Sequence, residues 1–221
     1  MSNPLEEKLF NAAYDGLASE VSSLLRDHPK INVNWADANQ RTPLHTASLK
    51  GHVEIVKLLL AHPNINVNLK IGDGDTPLSL GCVWGKVSVV KLLVKDPHVD
   101  ATLDDGNGCT PLWFASRWGY GEVVEWLIAS GRNLGDVKNK KGKNWKDYKH
   151  YTALEIARKE EATEVISVLE NFIANPVQTR HELRVKLGMF FSFLEKTEHQ
   201  HNKIFLLPLA FHSLSFCFPR L

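Results

Sequence analysis

The strongest constraint on this chain is that it repeats itself. Thr42-Pro43-Leu44-His45-Thr46-Ala47, Thr76-Pro77-Leu78-Ser79-Leu80-Gly81 and Thr110-Pro111-Leu112-Trp113-Phe114-Ala115 start 34 residues apart, twice in succession. Thr152-Ala153-Leu154-Glu155-Ile156-Ala157 follows after 42, and a degenerate copy precedes them all, with Leu9, Ala12 and Gly16 matching Leu44, Ala47 and Gly51. Behind three of these windows runs a second, apolar stretch opened by Gly51, Gly85 or Gly119. A period of this length marks a stacked array, because a unit so small cannot cover its own apolar face and must borrow cover from its neighbours.

Each repeated position has a physical job. Thr before Pro starts a helix: the hydroxyl caps free backbone amides, and Pro in the first turn loses no hydrogen bond. Leu44, Leu78, Leu112 and Leu154 then point inward, and a small residue (Ala12, Ala47, Gly81, Ala115, Ala157) lets adjacent helices approach. Gly51, Gly85 and Gly119 end that short helix. Val53, Val56, Leu59 and Leu60 recur at helical spacing and give a second helix its apolar side. Gly72-Asp73-Gly74 and Asp105-Gly106-Asn107-Gly108 carry the residues of tight hairpin turns.

This pattern resembles the ankyrin repeat, a turn plus two antiparallel helices with a T-P-L-H-x-A signature. The resemblance spans residues 5–173 as repeats 5–36, 37–70, 71–104, 105–138 and 147–173, with a basic insert over 132–151. It implies an all-α solenoid of stacked helix-turn-helix units. Repeat 2 is the fullest copy; elsewhere Ser79, Trp113 or Glu155 replaces the signature histidine, which puts its hydrogen bonding in question there.

The resemblance also implies a function: such arrays hold another protein on a concave face made of hairpin tips and first helices, without chemistry. The residues just before each helix-ending position should lie there: Tyr14 and Asp15, Leu49 and Lys50, Val83 and Trp84, Arg117 and Trp118, then Lys159 and Glu160. Trp84 and Trp118 are equivalent one repeat apart and are expected to be neighbours, with Arg117 exposed beside them, a combination enriched at binding hot spots. The plainer alternative is that the two rings only pack on helix ends. Asn39, Arg41, Asp73, Asp75, Asn107 and Cys109 at the hairpin tips complete the candidate surface.

Charge is unevenly placed. The whole chain is net +1, but residues 1–131 are net −4 and residues 132–151 net +5. The overall balance argues against a dedicated nucleic-acid binder. The insert strings Lys138, Lys140, Lys141, Lys143, Lys146 and Lys149 among Trp145, Tyr148 and Tyr151. We expect a solvated excursion lengthening one hairpin; contact with phosphates or an acidic partner is the alternative.

Enzyme readings find no support. The Gly-x-Gly pairs recur in repeat phase and precede no phosphate-loop context, so they are turns. Cys82, Cys109 and Cys217 form no C-x-x-C pair, and Cys82 falls at a core-type position. The ten histidines contain no H-E-x-x-H, and His199 and His201 sit in a polar stretch. No cofactor, metal or small-molecule substrate is expected, and no secretory signal is apparent, so a cytosolic or nuclear monomer is the expectation.

Beyond Asn175-Pro176 the repeat ends. Residues 174–188 form a short basic amphipathic segment suited to capping the last repeat. Residues 189–221 change character, with Phe190, Phe191, Phe193, Phe205, Phe216 and Phe218, and read as a disordered or non-native hydrophobic tail. Ile204–Pro219 carries no formal charge over sixteen residues, short of a membrane span. A membrane-associated adaptor using this tail is the second reading of function.

Overall fold

The computed structural model describes residues 4–189. The chain parts into two units, Met1–Leu187 and Gly188–Leu221, and the fold set out here is that of the first. Cys217, His199, His201 and the phenylalanine-rich tail lie outside the described residues.

Among the described residues ten helices alternate in two rows. The inner row is α1 (Pro4–Asp15), α3 (Pro43–Lys50), α5 (Pro77–Val83), α7 (Pro111–Arg117) and α9 (Ala153–Lys159); the outer row is α2 (Ala18–Asp27), α4 (Val53–Leu60), α6 (Val87–Leu93), α8 (Gly121–Ala129) and α10 (Thr163–Ala174). Each helix packs on its partner and on the equivalent helix of the adjacent pair. An eleventh, α11 (Pro176–Lys186), packs on α8 and α10. Arg184 donates to the Ala129 carbonyl at 2.8 Å and Lys186 pairs with the buried Glu125 carboxylate at 2.5 Å.

The core follows the repeat. Leu44, Leu78 and Leu112 are 0–2% exposed and lie in register along the inner row, with Ala47, Gly81 and Ala115 buried one turn on. Leu154 departs from this expectation: it is only half-buried, because α9 is the last helix of the inner row and α11 joins the outer one.

The helix starts are capped as the Thr-Pro motif implies. Thr42 with His45, Thr76 with Ser79 and Thr152 with Glu155 form reciprocal capping boxes. Ser79 and Glu155 thus restore the hydrogen bond whose histidine they lack. Trp113 cannot return it; Thr110 still accepts from the Trp113 amide at 3.2 Å, while the indole N–H is spent elsewhere. Gly51, Gly85 and Gly119 take φ of 86°, 60° and 70° where the chain turns between helices.

A second inter-repeat device lies in the loops after the outer helices. Asn34 donates to the Asn64 carbonyl at 2.7 Å and accepts from the Asn66 amide at 2.9 Å; Asn68 does the same to His98 and Asp100, at 2.7 and 3.0 Å. One pair further on Thr102 cannot span the gap. Arg132 takes over from the next loop, donating to the carbonyls of Val94 at 3.1 Å and Pro97 at 3.0 Å and to that of Asp96.

Among the described residues no helix is long and apolar enough to cross a membrane.

Candidate functional site

The hairpin tips are built from short acidic turns. Asp37 accepts from the amides of Asn39 and Arg41 at 2.9 and 2.8 Å, and the Arg41 guanidinium closes onto its other oxygen at 2.8 Å. Asp105 repeats the turn with the amides of Asn107 and Cys109, both at 2.8 Å. Between them Ile71 offers no carboxylate, yet the backbone bonds Ile71–Asp75 and Gly74–Ile71 hold the same shape. Gly74 has φ 90° and a Cβ there would lie 2.6 Å from the Gly106 amide, so this tip admits only glycine. Asn39, Asp73 and Asn107 stand exposed along this edge, while Arg41 is half-buried against Asp37.

Two hairpin residues are drawn in from the surface, one wholly and one in part. Cys109 is 1% exposed: Gly142 packs so closely that a Cβ there would fall 2.7 Å from its sulfur. Asp75 is half-buried with one carboxylate oxygen sealed from solvent and unpartnered.

The residues before the helix-ending turns divide likewise. Tyr14, Asp15 and Lys50 are exposed, with the Lys50 ammonium 4.3 Å from the Tyr14 ring centre; Leu49 and Val83 are half-buried. Trp84 and Trp118 are 54% and 44% exposed. Arg117, expected beside them in solvent, is instead 3% exposed. The reason is the insert, which is no solvated excursion. Its strands β1 (Gly142–Lys143) and β2 (His150–Tyr151) pair antiparallel, and the Trp113 indole donates to the Tyr151 carbonyl at 2.8 Å. Arg117 donates to the Asn144 side chain, and its guanidinium lies 3.6 Å from the Trp145 ring centre. Burial depresses the Arg117 pKa, opposed by the Glu160 carboxylate.

The aromatic pairing is therefore redrawn. Trp118 meets Trp145 of the insert, centroids 6.2 Å apart, and among the described residues it makes no ring contact with Trp84. Sequence reading missed Trp145 as a member of this face, because the repeat register says nothing about where an out-of-phase insertion comes to rest.

Beneath the tips sits an opposed pair of titrating groups. Burial lowers the His45 imidazole from 6.5 to about 4, and its ring bridges Thr42 and the Leu69 carbonyl. Burial raises the Asp75 carboxyl from 3.8 to about 6, opposed by Ser79. Between pH 4 and 6 the unfolded chain carries its proton on the histidine and the folded chain carries it on the aspartate. The two states bind equal numbers of protons from this pair, so its contribution to stability is flat over the window. His45→Gln leaves the aspartate alone, and stability should fall as pH rises, by on the order of 1 kcal/mol per pH unit. Asp75→Asn should give a slope of opposite sign, since the unfolded histidine then binds the extra proton. Urea denaturation at stepped pH checks both; parallel profiles for the two variants would refute the pairing.

The family model described as ankyrin repeats (3 copies) matches residues 6–71 and 63–141. The chain belongs to the ankyrin-repeat family, an all-α helical repeat solenoid. Ankyrin repeats are in general protein–protein interaction modules, and domains built from them are typically non-enzymatic. A comparison with curated proteins finds no match.

Proposed function

We propose that this protein is a non-enzymatic binding module that holds another protein on the face formed by its hairpin tips and inner helices. The observation that carries the reading is the solvent exposure of two large indoles, Trp84 and Trp118, at equivalent positions one repeat apart. An indole left half in water adds little to the stack, yet supplies a large rigid contact to a partner. The bare tips Asn39, Asp73 and Asn107 provide the polar rim that excludes water around such anchors. Arg117 serves this face from below, as the support on which Trp145 rests.

Trp84→Ala is expected to weaken partner binding by about 2 kcal/mol, roughly thirtyfold, while leaving the melting temperature unchanged. Calorimetric titration of wild type and variant, alongside thermal melts, separates the outcomes. A drop in melting temperature with unaltered affinity would mean the ring only packs.

A further inference from the structure

We propose that the partner segment held on this face is acidic, selected by the lysines of the insert. The inference rests on the interaction reading above and names the chemistry of what is bound.

The lysines are carried on a fixed platform. Gly142 is seated on Cys109, the Trp113 indole holds the Tyr151 carbonyl, and Asn144 and Trp145 close over Arg117. A backbone held in this way is already ordered when a ligand arrives, so that only the freedom of the lysine stems is lost on binding.

Those charges are not paired alike. Lys140 is neutralised by Asp104 at 2.5 Å and Lys146 by Glu160 at 3.4 Å. Asp147, one of the two acids in the insert, is taken by Lys159 at 2.9 Å and accepts from the Tyr151 hydroxyl at 2.8 Å. Among the described residues Lys141, Lys143 and Lys149 close no ion pair, although the Thr152 amide and, more weakly, the Lys141 charge hold the Glu155 carboxyl below its usual range; Lys143 lies 5.3 Å from the Tyr148 ring centre. Below them the Arg117 cation is sealed in with two nitrogens unpaired. Positive charge outside any close ion pair is therefore carried on the same hairpin as exposed Trp145 and Tyr148, with Trp118 against Trp145 and Lys143 beside Tyr148. Its complement is a segment with carboxylates beside an apolar or aromatic residue.

Nucleic acid fits less well. A phosphate backbone leaving the insert along the hairpin edge would meet Asp105 and Asp73, and residues 1–131 are net −4. A short acidic segment ends before that repulsion begins.

The test uses the full chain and a phage-displayed library of random dodecapeptides. Selected peptides should be enriched in Asp and Glu next to an aromatic or aliphatic residue. Their affinity should fall roughly tenfold in the Lys141→Gln/Lys143→Gln/Lys149→Gln variant, and again on raising salt. The three ammonium groups make no hydrogen bond among the described residues, and circular dichroism verifies that the variant stays folded. Neutral or basic peptides, or acidic ones that bind the lysine variant unchanged, would overturn the proposal. So would an oligothymidylate probe that outcompetes the acidic peptides and loses binding in the same variant, or a library that yields no binder. The Trp84→Ala/Trp118→Ala variant reports separately. Peptides that need the lysines but ignore both indoles would sink the Trp-face reading and leave the acidic preference standing; the reverse dependence would sink only the latter.

Discussion

Replacing Trp113 by alanine is expected to cost about 3–5 kcal/mol and to free the insert from the array. Trp113 is 1% exposed and is, among the described residues, the largest side chain wholly enclosed by the fold. Its ring meets Phe114 edge-on at 5.6 Å, faces the Arg117 guanidinium at 5.7 Å and lies against Gly142. Truncation opens a cavity under the hairpin and cuts the indole bond to Tyr151. Trp113→Phe separates the two losses: it keeps most of the ring volume and gives up only the hydrogen bond, about 1 kcal/mol. Urea denaturation measures the stability change, and limited trypsin digestion at Lys141, Lys143 and Lys149 reports the hairpin. Alanine should sensitise those bonds and phenylalanine much less. A hairpin still resistant in Trp113→Ala would show that this residue does not hold it.

That dependence marks where the sequence stops being legible. The stack could be read directly, because Thr42, Thr76 and Thr110, the inward leucines and the small residues recur in one phase, and each recurrence states the same burial. The loop ladder was also within reach: Ile31-Asn32-Val33-Asn34 and Ile65-Asn66-Val67-Asn68 lie 34 apart and place Asn34 and Asn68 one above the other. Arg117, Cys109 and Asp75 were not. Their equivalents Val83 and Leu49, or Arg41, suggest a surface position, and in a strictly periodic array they would be on one. An eight-residue departure from the period, 42 in place of 34, brings in a hairpin whose Gly142, Asn144 and Trp145 cover two of them. Periodicity predicts what neighbours of the same kind do to each other and is silent about a neighbour that occurs once. Trp84 and Trp118 obey the same rule: the exposed one-repeat offset was visible, but the ring that Trp118 meets belongs to the insert.

Leu112→Ala should cost about 2–5 kcal/mol and make unfolding less cooperative. Leu112 is 2% exposed on α7, which packs on α5 before it and α9 after it, so its methyl groups belong to the interfaces between pairs more than to one pair. In an array whose units touch only their neighbours, stability is a sum of unit terms and interface terms, and unit terms alone do not keep a unit folded. A cavity at the centre therefore weakens the coupling that makes the halves unfold together. Ile156, fully buried on α9, loses comparable apolar volume when cut to alanine, but it stands in the last pair, where one inner-row interface exists to be weakened. Ile156→Ala should fray the end of the stack, with α1–α6 retaining their protection; Leu112→Ala should lower the urea midpoint and broaden or split the transition. Hydrogen exchange resolved along the chain distinguishes these patterns: early exchange confined to α9–α11 for Ile156→Ala, and separated exchange of the two flanks of α7 for Leu112→Ala. A single sharp transition at the wild-type midpoint in Leu112→Ala would mean the leucine row does not carry the coupling, and the stacking account of the fold would fall with it.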